Sequence, residues 1–136
     1  MDTPDVRWKQ RFSNFSNSVD NLEAAVAIQE PNTFERQGLI KAFELAYELA
    51  WKTLQDYLRD LGIEDIVGPK PVIRRAFSDG IINDGLAWQE MHQARNESAH
   101  LYDEARAQSI EQAVRQDFAS LLRELRDTMK TRYGAD

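Results

Sequence analysis

Within the stretch ARNESAHLYDE (Ala94 to Glu104), Arg95, Asn96, His100 and Tyr102 fall inside eight residues. A histidine titrates near neutrality and both takes and gives protons, which suits acid–base work on an RNA 2′-hydroxyl. An arginine supplies a fixed charge and a planar fork of donors that matches a phosphate. An asparagine can position either group. Together these side chains suffice for metal-independent RNA cleavage, in which the strand's own 2′-oxygen attacks the adjacent phosphorus.

The spacing sets a geometric condition. On an unbroken helix the five steps from Arg95 to His100 turn through about 500°, which leaves the two roughly 140° apart around the axis. Asn96 and His100 would share a face while Arg95 looked away. Convergence therefore requires the helix to end near Ser98, or a second copy of the chain to complete the site. A plainer reading stands beside this one: Arg95 as an interface ion pair, His100 as a helix C-terminal cap and Tyr102 as a cover for the core.

Composition narrows the alternatives. With 136 residues and 42% hydrophobic side chains, the chain can bury one core as a single helical domain over 1–136. It has no cysteine, which removes disulfides, thiolate zinc sites and cysteine nucleophiles. No clustered carboxylate set suggests a dedicated metal site, so neither metal nor cofactor is expected. The start, MDTPDVRWKQRF, is polar and unlike a signal peptide, and no apolar run approaches the roughly 20 residues of a membrane span. A cytoplasmic, soluble protein is the expectation, and the glycosylation patterns at Asn14 and Asn96 are set aside on that ground. A net charge of −6 argues against wholesale wrapping of nucleic acid but leaves room for a local basic site.

The elements that must position the motif read as helices. Trp8, Phe12, Phe15, Val19, Leu22 and Val26 recur at spacings of 4, 3, 4, 3 and 4, one apolar stripe on a first helix after Thr3-Pro4 and before Pro31. A second helix is predicted from about Phe34 to Leu61, ending at Gly62, with Ile40, Phe43, Tyr47, Ala50, Leu54, Leu58 and Leu61 on one face. Ala42, Ala46 and Leu49 widen that face, as burial against more than one neighbour would require. Lys41, Glu44, Glu48, Lys52 and Gln55 make its polar stripe, with Glu48 and Lys52 oriented for an i,i+4 pair. A short helix from Val72 to about Ser78 follows the Gly68-Pro69-Lys70-Pro71 turn, with Val72, Ile73, Ala76 and Phe77 pointing one way. Asn83-Asp84-Gly85 can cap a fourth helix carrying Leu86, Trp88, Met91 and Arg95. The last helix should begin near Asp103 and run past Met129, with Ile110, Val114, Phe118, Leu121, Leu125 and Met129 as its stripe. The natural architecture is all-α, an antiparallel four-helix bundle with one extra short helix.

RNESAHLY follows the Arg-x4-His-x-Tyr pattern of the HepT-like toxins in the HEPN superfamily. FELAYELAWKTLQDYLRDLGI (Phe43 to Ile63), PKPVIRRAFSDGII (Pro69 to Ile82) and WQEMHQARNESAHLYDE (Trp88 to Glu104) resemble successive blocks of the nucleotidyltransferase substrate-binding proteins. Those are small helical bundles, usually paired with a separately encoded minimal nucleotidyltransferase. The resemblance runs from about Leu39 into the final helix. It implies that Arg95 and His100 are a ribonuclease pair, that Asn96 is the polar residue that often follows the arginine, and that Tyr102 is the tyrosine the partner transferase modifies with AMP. It also implies a homodimer and an RNA or nucleotide ligand. The transferase's own Gly-Ser and paired-aspartate signature is absent from this sequence. A ribonuclease toxin neutralised by such a transferase is the first reading, a non-catalytic nucleotide- or substrate-binding subunit the second, and a helical interaction module with a vestigial motif the third.

Outside the motif, Lys70, Arg74 and Arg75 form the densest basic cluster and could guide a phosphate backbone toward His100, or be a solvated helix face. Glu44 and Glu48 could reach Arg95 across the bundle, although the polar stripe of the second helix accounts for them. His92 is expected to be an exposed bystander. Trp8, Trp51 and Trp88 are expected in the core or at a dimer interface.

Overall fold

The computed structural model describes residues 4–99 and 103–133, so Thr3, His100 and Tyr102 lie outside the described residues. Five helical rods make up the described chain. They are α1 (Pro4–Val26), α2 (Thr33–Asp60), α3 (Pro69–Ser78), α4 (Gly85–Ser98) and a last rod in which α5 (Glu104–Ala113), a π-helical turn (Val114–Phe118) and α6 (Ala119–Tyr133) run without a break. No strand occurs among the described residues.

Side-chain pairings fix the topology. Arg11 of α1 reaches Asp56 of α2 at 2.8 Å, while Arg126 and Arg123 of α6 reach Asp20 and Glu23 of α1 at 2.6 and 3.2 Å. Arg95 of α4 meets Glu44 of α2 at 3.3 Å. Each long helix thus runs antiparallel to its ring neighbours, and the short α3 rests on α2 and α4. This is the antiparallel four-helix bundle with one extra short helix that the periodicity predicts.

The apolar stripes account for the core. Trp8, Phe15, Val19, Leu22, Phe43, Tyr47, Leu54, Leu58, Trp88 and Met91 are buried, and Trp51 packs partly buried against them. The width of the α2 stripe has the expected cause, since α2 touches every other helix. Local signals set the boundaries. Asn32 and Glu35 form a reciprocal capping box at the start of α2, worth on the order of 1 kcal/mol, and Asp84 accepts from the Ala87 amide to start α4. Gly62, with φ of 89°, takes the left-handed turn after α2.

Stripe assignments differ in the structure at three places. Leu61, Phe77 and Leu86 are exposed, because Leu61 is already the C-cap of α2 and the other two stand at the α3–α4 junction. There the Phe77 ring lies against Gly85, where an added Cβ would come within 3.1 Å of it. The third difference is in the last rod. Spacings of four drift by about 40° per step on an α-helix, so Ile110, Val114 and Phe118 slide around the axis. The wider π-helical turn takes up that drift, and beyond it Leu122 is fully buried while Leu121 packs only partly buried against the core, with Leu125 and Met129 buried further along.

Candidate functional site

The helix carrying the motif stops where convergence requires. α4 ends at Ser98, whose hydroxyl donates back to the Arg95 carbonyl at 2.8 Å. The chain re-enters a helix at Glu104, where the Asp103 side chain accepts from the Ala105 amide. Arg95 and Asn96 therefore occupy the last turn of α4, and His100 follows its end in sequence.

Arg95 does not stand free. Its Nη1 lies 3.3 Å from Glu44 Oε2, and its buried Nε lies 3.3 Å from Glu48 Oε1 without the alignment of a hydrogen bond. These two carboxylates, one turn apart on α2, are more than a polar stripe. They draw the guanidinium onto α2 and leave Nη2 without a partner among the described residues. Glu48 also accepts from the Trp51 indole at 3.2 Å, and no Glu48–Lys52 pair is found among the described residues. Instead Lys52 stands over the Trp51 ring, 5.7 Å from its centroid. The i,i+4 expectation fails because Arg95, arriving from α4, offers Glu48 a better-desolvated cation.

His92 is not a bystander either. It is half-buried, its Nδ1 lies 2.7 Å from the Tyr47 hydroxyl, and its Nε2 lies 3.3 Å from Asn96 Nδ2. Burial, then the nearby Lys70, pushes its pKa below the ordinary 6.5, while Glu48 pulls the other way. A neutral ring with its proton on Nδ1 can donate to the Tyr47 oxygen and accept from the Asn96 amide. Tyr47 is buried at the centre of the bundle, and that burial pushes its hydroxyl pKa well up, so it stays protonated. Asn96 is thereby tethered to the core through an imidazole. Its place in the motif made Asn96 legible in sequence, but no periodicity marked Tyr47 as anything other than a core residue.

The basic cluster divides. Lys70 and Arg74 line a cleft of about 350 Å³ between α3 and α4, together with Ile73, Gln89, His92 and Gln93. Arg75 does not line it and is held by Asp79 at 3.0 Å. A second hollow, of about 550 Å³, lies where α2 begins, α4 ends and α5 begins. Ser98 and Asp103, which bracket the undescribed part of the motif, both line it, as do Arg36 and Glu44. Beside it Arg36 binds Glu104 and, at 2.7 Å, Glu111. Glu111 also accepts from Arg115 at 2.9 Å, and Arg115 donates to the Val26 and Ile28 carbonyls at 2.6 and 2.7 Å. This network ties the end of α1 and the starts of α2 and α5 around the motif, and no sequence pattern announced it. Among the described residues no group of three or more histidine or carboxylate side chains could hold a metal ion, and no helix is long and apolar enough to cross a membrane.

The family model described as nucleotidyltransferase substrate binding protein like matches residues 10–131. The chain belongs to that family. A relative from Haemophilus influenzae named Probable ribonuclease HepT is 30% identical over 102 residues, covering 65% of this chain and 70% of that protein. A crystal structure from Thermus thermophilus matches with a TM-score of 0.75 at 29% identity, over 82% of this chain and 94% of that one. A Haemophilus influenzae structure, described as revealing the fold of a substrate binding domain of a nucleotidyltransferase, matches with a TM-score of 0.72 at 23% identity, over 88% and 98% of the two chains. At that identity the likeness speaks for the fold, which is the substrate-binding-protein fold throughout.

Proposed function

We propose that this substrate-binding-family protein is a metal-independent endoribonuclease of the HEPN type, acting as the toxin of a pair whose other member is a minimal nucleotidyltransferase. The observation that carries the reading is the break of α4 at Ser98, inside Arg-x4-His, which removes the 140° obstacle that an unbroken helix would impose. The name of the 30% identical relative, a probable ribonuclease, supports it. In the proposed reaction His100 takes the proton from the RNA 2′-hydroxyl, and the 2′-oxygen bonds to phosphorus. The P–O5′ bond breaks, and the departing oxygen takes up a proton. The products are a 2′,3′-cyclic phosphate and a 5′-hydroxyl. Arg95, with Nη2 unengaged among the described residues, would face the phosphate charge, and Asn96 would position the substrate from its tether on His92. A homodimer would bring two such motifs together across a two-fold axis. Tyr102, two residues beyond His100, is the proposed site of AMP transfer, which would set negative charge and bulk beside the phosphate.

Protein purified without its partner and unmodified at Tyr102 should cleave cellular RNA in EDTA and leave cyclic phosphate ends. His100→Ala should lower that activity by roughly 100- to 10,000-fold while preserving the helical circular dichroism. Intact RNA after incubation with the parent protein would overturn the nuclease reading. One observation favours a second reading, a non-catalytic nucleotide-binding subunit: Arg95 is already neutralised by Glu44 and Glu48. In that case Arg95→Ala would reduce nucleotide affinity in a protein that cleaves nothing.

A further inference from the structure

We propose that the cleft between α3 and α4 is a phosphate-binding subsite for a nucleotide, with Lys70 and Arg74 holding the phosphate and Gln89 and Gln93 reading the sugar or base edge. For an RNA strand as the source of that nucleotide, it rests on the reading above. For a free mononucleotide it stands alone.

Five observations converge on it. Lys70 and Arg74 are one helical turn apart on α3 and line the same wall. Among the described residues neither takes part in an ion pair or hydrogen bond, whereas the adjacent Arg75 is held by Asp79. In a chain of net charge −6, two unpaired cations on a concave wall make a local reversal of potential that gathers anions. The opposite wall, one face of α4, carries Gln89, His92 and Gln93, two amides with both donors and acceptors and an imidazole. That is the complement of a base edge or ribose hydroxyl, and not of a bare inorganic ion. The volume of about 350 Å³ falls at the lower end of the range for small-molecule sites. Finally, the cleft is joined to the motif: His92 lines it and contacts Asn96, so a strand seated on Lys70 and Arg74 would be led along α4 toward its last turn.

The test separates the two sources. In a His100→Ala background, which cannot cut the probe by the proposed mechanism, binding of a fluorescein-labelled single-stranded RNA 12-mer is followed by anisotropy and binding of AMP by calorimetry. Lys70→Gln/Arg74→Gln should weaken whichever ligand binds by at least about tenfold. Both replaced side chains are exposed, so the fold should survive, as circular dichroism will verify. The charge-matched Arg7→Gln/Lys130→Gln, on α1 and α6, should change affinity by less than about twofold. Loss for RNA alone assigns the cleft to a strand, and loss for AMP as well assigns it to a mononucleotide. Unchanged affinity in the cleft variant, equal loss in both double variants, or no binding of either probe to the undisturbed cleft would each overturn the proposal. None of these outcomes depends on whether the parent protein cleaves RNA, which the cyclic-phosphate assay decides separately.

Discussion

The two basic places along α4 are built on opposite plans. In its last turn Arg95 is drawn onto α2 by Glu44 and Glu48, and beyond it Arg36, Glu104, Glu111 and Arg115 interlock around the start of α5. One turn earlier, on the side facing α3, Lys70 and Arg74 have no partner among the described residues and open onto a cleft. A locked cation is held in one position at the cost of its charge, because two carboxylates outweigh it. An unlocked one keeps its attraction for anions but holds no fixed geometry. On the proposed function, chemistry at a scissile phosphate would need the first property and capture of a strand the second, so the two sites would divide the work between them.

Breaking the locked end should have the largest effect. In the proposed reaction Arg95→Ala removes the charge set against the phosphate and should lower cleavage by roughly 100- to 1,000-fold. It also leaves Glu44 and Glu48 half-buried on α2 with weaker partners only, the exposed Lys41 at 3.9 Å from Glu44 and the Trp51 indole at 3.2 Å from Glu48. After allowance for the partial exposure of all three side chains, the fold should lose roughly 1–3 kcal/mol, read from urea unfolding. A variant that lost activity with unchanged stability would show that the carboxylates do not depend on Arg95.

Unlocking Arg95 without removing it sharpens the comparison. Glu44→Gln/Glu48→Gln keeps the shape of the clamp and removes its two negative charges, so Arg95 becomes available to RNA as an unquenched cation. RNA affinity should rise by roughly three- to tenfold at low salt, and less at high salt, where exposed charge is screened. Cleavage per bound strand should fall at the same time, because the guanidinium is no longer held in place. Unchanged affinity would mean that the carboxylates do not mask Arg95.

A smaller effect is expected at Glu111, which fastens the frame of the locked end. Burial alone would raise its pKa, but hydrogen bonds from Arg36 and Arg115 more than offset this and hold it below the ordinary 4.5. A carboxylate depressed on folding contributes stability that is fully present above its unfolded pKa and is lost as pH falls through the folded one. The melting temperature of the parent protein should therefore drop as pH is lowered below about 4.5. Glu111→Gln should begin roughly 1–3 kcal/mol less stable at pH 7 and show a shallower decline in that window. Parallel melting curves for the two proteins would remove Glu111 from the clamp.

What was legible in the sequence follows the same division. The stripes of α1 and α2, the Asn83-Asp84-Gly85 cap and the helix start near Asp103 are local signals, written in spacing and side-chain type, and they locate the bundle and the stop of α4, whereas the Asn32 capping box was found only in the structure. The partners of Arg95 were in view as Glu44 and Glu48, but a polar stripe explains such residues equally well until the neighbouring helix is placed. The Tyr47–His92–Asn96 chain was hidden more deeply, since Tyr47 satisfies the apolar pattern and nothing in a single helix shows which way its hydroxyl points. Leu121 yields the centre of its stripe to Leu122 for another reason. A π-helical turn changes the phase of a rod, and a pattern read at 3.6 residues per turn carries the wrong phase past it.

The smallest and most specific effect is expected from pH at the open cleft. His92 faces Tyr47 and Glu48 from α2, Lys70 from α3, and Asn96 on its own helix, with Arg74 beside Lys70 on the opposite cleft wall. Its pKa lies below 6.5, so the ring is neutral at pH 7 and gains its charge only as pH falls through that lowered value. The unfolded chain takes the proton first, so acid removes the stability that neutral His92 contributes, starting near 6.5. Anion binding should move the opposite way, because protonation adds a third cation beside Lys70 and Arg74. The RNA phosphodiester keeps its charge throughout this range, which makes it a cleaner probe than AMP, whose second phosphate pKa lies near 6. Between pH 7.5 and about 5.5, RNA affinity in the His100→Ala background should rise by roughly two- to fivefold, and His92→Gln should flatten that rise. If the slope is the same in His92→Gln, the added charge comes from elsewhere and His92 is only the tether of Asn96.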